Sequence, residues 1–150
     1  MKKADIVVSQ VVAAPLEKVW ESWADFGGIY KFHKGVARTT ILKDSAPRGI
    51  GAVRLCELSD GKNEIEEQVV EWIPLQKIGI EFKRTSLPIA RARADFLFDT
   101  CSDDRVCVEM QFSFEPRGCF MRIAKPVLSW KMRQGFQKLL KSNKDYLELS

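Results

Sequence analysis

The sequence predicts an α+β domain that combines an antiparallel sheet with a long C-terminal helix. Residues 36–115 alternate apolar and polar side chains and contain turn residues about every ten positions. Connections this short favour an antiparallel meander, because parallel strands need long crossovers. Beyond Gly118 the apolar period becomes helical and continues to Leu147. These observations predict a seven-stranded sheet once the N-terminal strand is included.

The composition fits one globular domain that spans residues 1–150. Hydrophobic residues make up 45% of the chain and charged residues 29%, enough to form a core. The net charge of +4 is mild, so we expect no nucleic-acid partner. Polar residues interrupt the apolar N-terminal run, and no stretch reaches the ~20 apolar residues of a membrane span. We expect a cytoplasmic protein.

Cysteine usage favours reduced thiols over a disulfide framework or a metal site. The chain has one histidine, and its cysteines form no C-x-x-C pair, so a zinc site would need scattered ligands. Disulfide frameworks are typical of small secreted domains. We expect no metal and no cofactor. The cysteines are Cys56, Cys101, Cys107 and Cys119.

The elements follow from periodicity and turn residues. Residues 5–12 alternate as in a strand, Pro15 suits the first turn of a helix, and Gly27-Gly28 interrupts that helix, leaving only a short second one. Pro126 can open the last helix, which we expect to run to about Leu147. The six strands of the meander are predicted at residues 36–43, 51–59, 62–72, 77–85, 89–99 and 105–115.

The turn Asp60-Gly61 sets the register of its hairpin, because glycine tolerates the positive φ that a two-residue turn requires. This register places Arg54 opposite Glu67 on the less polar face, which we expect to point inward. The same face carries Ala52, Cys56, Ile65 and Val69.

The last hairpin has an apolar face of even-numbered residues and a charged face of odd-numbered ones. A five-residue loop, 100–104, would pair Phe98 with Val106 and Ala92 with Phe112. Alanines beside large aromatic residues leave room on the inner face, which either a closely packed helix fills or a cavity retains. The even-numbered residues are Ala90, Ala92, Ala94, Phe96, Phe98, Val106, Val108, Met110, Phe112 and Phe114.

The element order and several motifs resemble the START-like (SRPBCC) superfamily of polyketide cyclase/dehydrase and lipid-transport proteins. The resembling segments are Ala14-Pro15-Leu16-Glu17-Lys18-Val19-Trp20, Gly51-Ala52-Val53-Arg54, and Glu67 with Glu71-Trp72-Ile73-Pro74. The resemblance implies a helix-grip fold, in which a curved seven-stranded antiparallel sheet wraps around the long C-terminal helix and two short helices follow the first strand. It also implies a pocket for a lipid, sterol, polyketide, plant hormone or quinone. Some members of the superfamily are cyclases or dehydratases, and many only bind.

Glu67 is the principal polar candidate in the expected pocket. In the related hormone receptors, the acid at this motif position contacts the ligand. A buried carboxylate needs a partner, which Arg54 supplies, so the alternative is a structural ion pair. A carboxylate paired in this way would be a poor general base. The predicted ligand-binding residues are Arg54, Cys56, Ile65, Glu67, Val69, Ile78, Ile80, Phe82, Ala92, Ala94, Phe96, Met110, Phe112, Met132 and Phe136.

His33 and Tyr30 are weaker catalytic candidates. The resemblance puts His33 near the pocket mouth, where it could act as an acid or base; the alternative is an exposed loop histidine. Tyr30 could donate to a carbonyl group or be packed. Phe120, Met121 and Ile123 could form an apolar lip or an ordinarily packed loop. Residues 122–144 carry seven basic and no acidic residues, which suits either a solvated helix face or contact with an anionic membrane.

The leading functional hypothesis is binding or transport of a small hydrophobic molecule in an internal cavity. The alternatives are a polyketide cyclase or dehydratase using Glu67, His33 or Tyr30, and a protein-interaction or quinone-chaperone role. An enzyme should bring a polar cluster together in the cavity, whereas a carrier needs only one or two polar groups in an apolar lining.

Overall fold

A computed structural model describes residues 3–149 and shows a curved antiparallel sheet with a long C-terminal helix, as the sequence predicts. Neither this helix nor any other within residues 3–149 combines the length and apolarity that a membrane span requires. The elements are β1 (Ile6–Val12), α1 (Leu16–Ala24), a 3-10 helix (Phe26–Lys31), β2 (Val36–Ile41), β3 (Val53–Leu58), β4 (Glu64–Ile73), β5 (Lys77–Thr85), β6 (Ile89–Ser102), β7 (Arg105–Pro116), α2 (Cys119–Ile123) and α3 (Lys125–Glu148).

The seven strands lie in the order β1-β7-β6-β5-β4-β3-β2, so only β1 pairs out of sequence, with β7. The second half of α3 closes on α1 and the sheet through Leu139, Leu140, Asn143 and Leu147, all buried. Asn143 Oδ1 accepts a hydrogen bond of 3.1 Å from the Trp23 indole N–H. The 3-10 helix packs against β2 at the opposite edge of the sheet from β1, over which α3 lies.

The β3–β4 hairpin has the predicted register, with Arg54 opposite Glu67 and Cys56 opposite Ile65. The Asp60 carboxylate accepts hydrogen bonds from the backbone N–H groups of Lys62 and Asn63, at 2.8 and 2.9 Å. The ladder stops at Glu57 and Glu64, so the connection is longer than two residues. The side-chain parity is nevertheless retained, which puts Arg54 and Glu67 on the inner face.

The predicted pairs of the β6–β7 hairpin are wrong by two residues. Phe98 pairs with Val108 rather than Val106, and Ala92 pairs with Phe114 rather than Phe112. Strand β6 continues to Ser102, and Asp104 adopts a φ of 54° in the tight turn that follows. Because the slip is even, the apolar residues still face inward.

One alanine of this hairpin does not face inward as expected. A bulge lies between Ile89 and Arg91, and it exposes Ala90 while burying Ile89. A bulge inserts one extra residue and reverses the alternation locally. Ala90 gives no sign of the bulge, because alanine is compatible with either face, but Ile89 is an apolar residue at an odd-numbered position and so breaks the alternation.

Candidate functional site

Five polar or ionisable side chains gather where β2, β3 and β4 lie against the 3-10 helix. Strand pairing puts Thr39 opposite Cys56 and Arg54 opposite Glu67, all on the inner face. His33 lies in the loop after the 3-10 helix, close enough for the charges of Arg54 and Glu67 to affect its pKa. We call His33, Thr39, Arg54, Cys56 and Glu67 the inner cluster.

The Arg54–Glu67 ion pair is the most buried charged feature of the inner cluster, with side-chain exposures of 4% and 13%. Arg54 Nε and Nη2 both donate to Glu67 Oε2, at 3.0 and 2.7 Å. Arg54 Nη1 donates to the Phe26 carbonyl at 3.0 Å, and the guanidinium lies 3.9 Å from the centre of the Phe26 ring. Each of the three guanidinium nitrogens of Arg54 thus donates a hydrogen bond. Glu67 Oε1, in contrast, accepts no hydrogen bond from any residue that the structure describes.

His33 is partly buried beside this pair and is not the exposed loop histidine of the alternative reading. Burial lowers the pKa of His33 to about 4; the Glu67 charge opposes this shift and the Arg54 charge adds to it. His33 Nδ1 accepts a hydrogen bond of 3.2 Å from the Gly35 N–H. The hydrogen-bond pattern therefore assigns the proton of the neutral ring to Nε2, which can donate.

Thr39 and Cys56 complete the inner cluster. Thr39 Oγ1 is buried and has no partner of hydrogen-bond geometry within residues 3–149, although the weakly bonding Cys56 thiol is adjacent. Burial, and after it the nearby Glu67 charge, raise the pKa of Cys56 to about 12, so the thiol stays protonated. Buried hydroxyl groups are normally bonded, which makes Thr39 a place where a bound polar group would be stabilised.

Apolar side chains line the inner face beyond the cluster, and they differ in exposure. The buried members are Val69, Ile78, Ile80, Ala92, Ala94, Phe96, Met110 and Phe112. Ile65, Phe82, Met132 and Phe136 face inward but are partly exposed. Solvent therefore reaches part of each of these four side chains, and we call the region that they border, between β3–β5 and the first half of α3, the inner groove.

The two walls of the inner groove meet through aromatic rings. The ring centres of Phe112 and Phe136 are 4.7 Å apart, and those of Phe82 and Phe112 are 5.9 Å apart. Phe96, in contrast, is covered by Trp23 of α1, at 4.5 Å between ring centres. The wall that a ligand could reach is thus formed by the partly exposed residues, with the buried ones as a packed floor.

The described cavities lie beside the inner groove or away from it. One of about 400 Å³ lies where β5 and β6 separate; it is lined by Phe82 and Ala92 but also by exposed charged residues such as Arg91 and Glu115. Another, of about 230 Å³, includes Tyr30 and Tyr146 on the surface. Tyr30 is half exposed there and does not join the inner cluster. A cavity enclosed between the sheet and α3 stays a prediction.

Sequence reasoning missed Phe26 and Thr39. Thr39 could have been found from strand parity if the β2–β3 register had been deduced, because it pairs with the inward Cys56. Phe26 lies in a 3-10 helix whose periodicity is too short to interpret. Within residues 3–149, no group of three or more His, Cys, Asp or Glu side chains is placed to hold a metal ion.

Comparisons with known proteins agree with this architecture. A START superfamily protein from Mycobacterium smegmatis superposes with a TM-score of 0.82 at 13% identity, covering 96% of this chain and 97% of that one. The Zhui aromatase/cyclase from Streptomyces sp. R1128 gives 0.80 at 17% identity, covering 95% and 92%. A Thermobifida fusca protein gives 0.71 at 24% identity, covering 95% and 94%. These likenesses establish the fold alone.

Sequence comparison identifies the family of this chain. No curated protein matched the chain. The model of the family described as polyketide cyclase/dehydrase and lipid transport matches residues 3–148. The chain therefore belongs to the polyketide cyclase/dehydrase and lipid transport family.

Proposed function

We propose that this protein binds a small hydrophobic molecule that carries a hydroxyl group, with its apolar body in the inner groove and its polar end at the inner cluster. The observation that carries the proposal is the geometry of Glu67. Both hydrogen bonds from Arg54 to Glu67 fall on Oε2 and hold that oxygen in place, while Oε1 is left to accept a bond from a ligand. An ionised acceptor forms stronger hydrogen bonds than a neutral one.

The remaining members of the inner cluster favour a ligand that also carries an acceptor. Thr39 Oγ1 is without a partner among the described residues, and the neutral His33 ring has a donor at Nε2. Ile65 pairs with Cys56 and Phe82 pairs with Glu67, so they offer apolar and aromatic surface next to these groups, and Phe136 continues that surface through Phe112. A few convergent polar groups in an apolar lining are typical of small-molecule sites. A hydroxylated aromatic or polyketide-like compound matches this arrangement.

The test compares two probes that differ in one hydroxyl group, 2-naphthol and 2-methylnaphthalene. We expect 2-naphthol to bind more tightly to the wild type, measured by quenching of tryptophan fluorescence and by calorimetry. Glu67→Gln should reduce that preference by about tenfold or more, because a hydrogen bond to a charged group contributes about 1.5–3 kcal/mol. Phe136→Ala should weaken both probes. Native mass spectrometry of protein purified from cells would reveal a natural ligand that remains bound.

Tyr30→Phe is the matched control, because it removes a hydroxyl outside the inner groove. Circular dichroism would establish that each variant is folded, and Thr39→Val offers a second, milder change within the cluster. Equal affinity of the two probes for the wild type would refute the role of Glu67. Binding that neither Glu67→Gln nor Phe136→Ala weakens would refute the inner groove as the site.

A second candidate is a cyclase or dehydratase, because the inner cluster combines a carboxylate, an imidazole and a hydroxyl group. With a pKa of about 4, His33 is a weak base near neutral pH. Its role in catalysis would be to donate a hydrogen bond from the Nε2 N–H to a substrate carbonyl group. After incubation of the protein with a poly-β-ketone substrate, mass spectrometry would detect a product that has lost water, as cyclisation with dehydration requires. An enzyme should lose turnover in His33→Gln while retaining substrate binding; a wild type that binds the compound without changing it contradicts this candidate.

A further inference from the structure

Large apolar side chains project from α2 and the start of α3 into solvent. Phe120, Ile123, Val127 and Trp130 are between 59% and 81% exposed. The Ala124 N–H donates to the Phe120 carbonyl and the Leu128 N–H to the Ala124 carbonyl, so the two helices are nearly continuous. Spacings of three, four and three residues put the four side chains along one side. We call them the apolar stripe.

The exposure of the apolar stripe excludes one of the two alternatives for Phe120 and Ile123. They do not pack as an ordinary loop, and Val127 is exposed rather than joined to the buried residues of α3, the last of which is Leu147. The inward positions of α3 near its start are Leu128 and Met132, which pack against the core. The apolar stripe therefore faces away from the fold and contributes nothing to its core.

Unpaired positive charge surrounds the apolar stripe. Residues 117–144 contain eight basic and no acidic residues. Lys125 is bound to Asp5 at 3.1 Å, and Arg133 donates to the Val7 carbonyl at 2.9 Å. Arg122, Lys131 and Lys138 have no acidic partner within residues 3–149. Lys131 and Lys138 follow on the same side of α3 as Val127 and Trp130, because their spacing is helical.

We infer that this surface docks on an anionic lipid bilayer, with the apolar stripe inserted among the headgroups and the basic residues on lipid phosphates. Exposed tryptophan and phenylalanine next to lysine and arginine are typical of helices that lie in a membrane interface. Lysine and arginine near an anionic bilayer each contribute attraction. A second copy of this chain is a poorer occupant, since it would bring two unpaired basic faces together.

The docking surface lies beside the inner groove. Leu128, Met132 and Phe136 line the groove from the same helix that presents Val127 and Trp130 on its other side. Docking at this end would place the groove close to the bilayer surface. The inference goes beyond the proposed function and does not depend on it, because vesicle binding is measured without any groove ligand.

The test measures sedimentation of the protein with vesicles of phosphatidylcholine alone, and with vesicles that contain one third phosphatidylglycerol. We expect binding only to the anionic vesicles, weakening as salt is added. The double variant Lys131→Gln/Lys138→Gln should bind the anionic vesicles about 25-fold more weakly, because each lysine contributes about fivefold to the affinity. Ile123→Ser/Trp130→Ser should weaken it at least about tenfold, because the inserted apolar area is lost.

Ile50→Ser is the matched control, because Ile50 is as exposed as Trp130, at 60%, but lies in the β2–β3 loop at the other end of the sheet. It should bind like the wild type. Equal binding to both kinds of vesicle, or an unaltered Ile123→Ser/Trp130→Ser variant, overturns the inference. So does a dimer in sedimentation velocity that this variant abolishes, because the stripe would then be a subunit interface.

Discussion

Replacing Glu67 by alanine should destabilise the fold by about 3 kcal/mol or more, because Arg54 would be left buried without its counter-charge. Arg54 is only 4% exposed and cannot turn toward solvent while its Nη1 is bound to the Phe26 carbonyl and its plane lies on the Phe26 ring. The substitution removes both charge-assisted hydrogen bonds to Oε2, of 2.7 and 3.0 Å. Each such bond contributes about 1.5–3 kcal/mol.

We expect the free-energy cost of Glu67→Ala to lie at the lower end of the usual range of about 3–5 kcal/mol for breaking a buried pair, because Glu67 borders the inner groove. Its side chain is 13% exposed, so water can enter the space that alanine leaves and solvate part of the guanidinium. For a chain of this length, about 3 kcal/mol corresponds to a melting temperature lower by about 6–12 °C. Urea unfolding followed by tryptophan fluorescence would measure the free energy of unfolding directly.

The Arg48–Glu21 pair provides a matched control. Its two hydrogen bonds, of 2.7 and 2.9 Å, have similar lengths, but its side chains are 43% and 58% exposed. Glu21→Ala should therefore cost no more than about 1 kcal/mol, because solvent screens the charges. The double variant Arg54→Met/Glu67→Met should recover most of the stability lost in Glu67→Ala, since it leaves no unpaired charge. If Glu67→Ala costs no more than Glu21→Ala, burial is not what makes the inner pair strong.

Three further predictions concern single side chains. NMR titration of His33, the only histidine, should give a midpoint near pH 4, and a midpoint near 6.5 would disprove its burial. Because the unfolded state binds the proton at a higher pH than the folded state, the contribution of His33 to stability should fall as the pH drops from 6.5 to 4. Above pH 6.5 that contribution should not change. Iodoacetamide should modify the exposed Cys101 in the folded protein but Cys56 only after unfolding, because burial raises the pKa of Cys56 to about 12. Mass spectrometry of digests would show which cysteine is labelled, and labelling of Cys56 in the folded protein would contradict the prediction. Asn143→Leu should cost about 1–3 kcal/mol in urea unfolding, because the Trp23 indole N–H would lose its acceptor, and a neutral effect would mean that water replaces it.

Local patterns explain most of what could be predicted about the fold. Alternation and turns placed all seven strands, and the parity of the Asp60-Gly61 hairpin placed Arg54 opposite Glu67. The slip of two residues in the last hairpin left the faces intact, because an even shift preserves side-chain direction. The bulge that exposes Ala90 was missed, since alanine fits either face and Ile89 at the strand end is the one residue that breaks the alternation.

The sequence by itself determined the strands, their inward faces and the pairing of Arg54 with Glu67, because these follow from alternation within a strand and from one short turn. Only the tertiary structure decided which atoms are free. Phe26, 28 residues from Arg54, fixes the guanidinium so that both bonds fall on one oxygen of Glu67. His33 follows the 3-10 helix and is partly buried beside Arg54 and Glu67, whereas the path of α3 leaves the apolar stripe outside. Contacts between segments distant in the chain are set by how whole elements pack, which periodicity within one segment does not record.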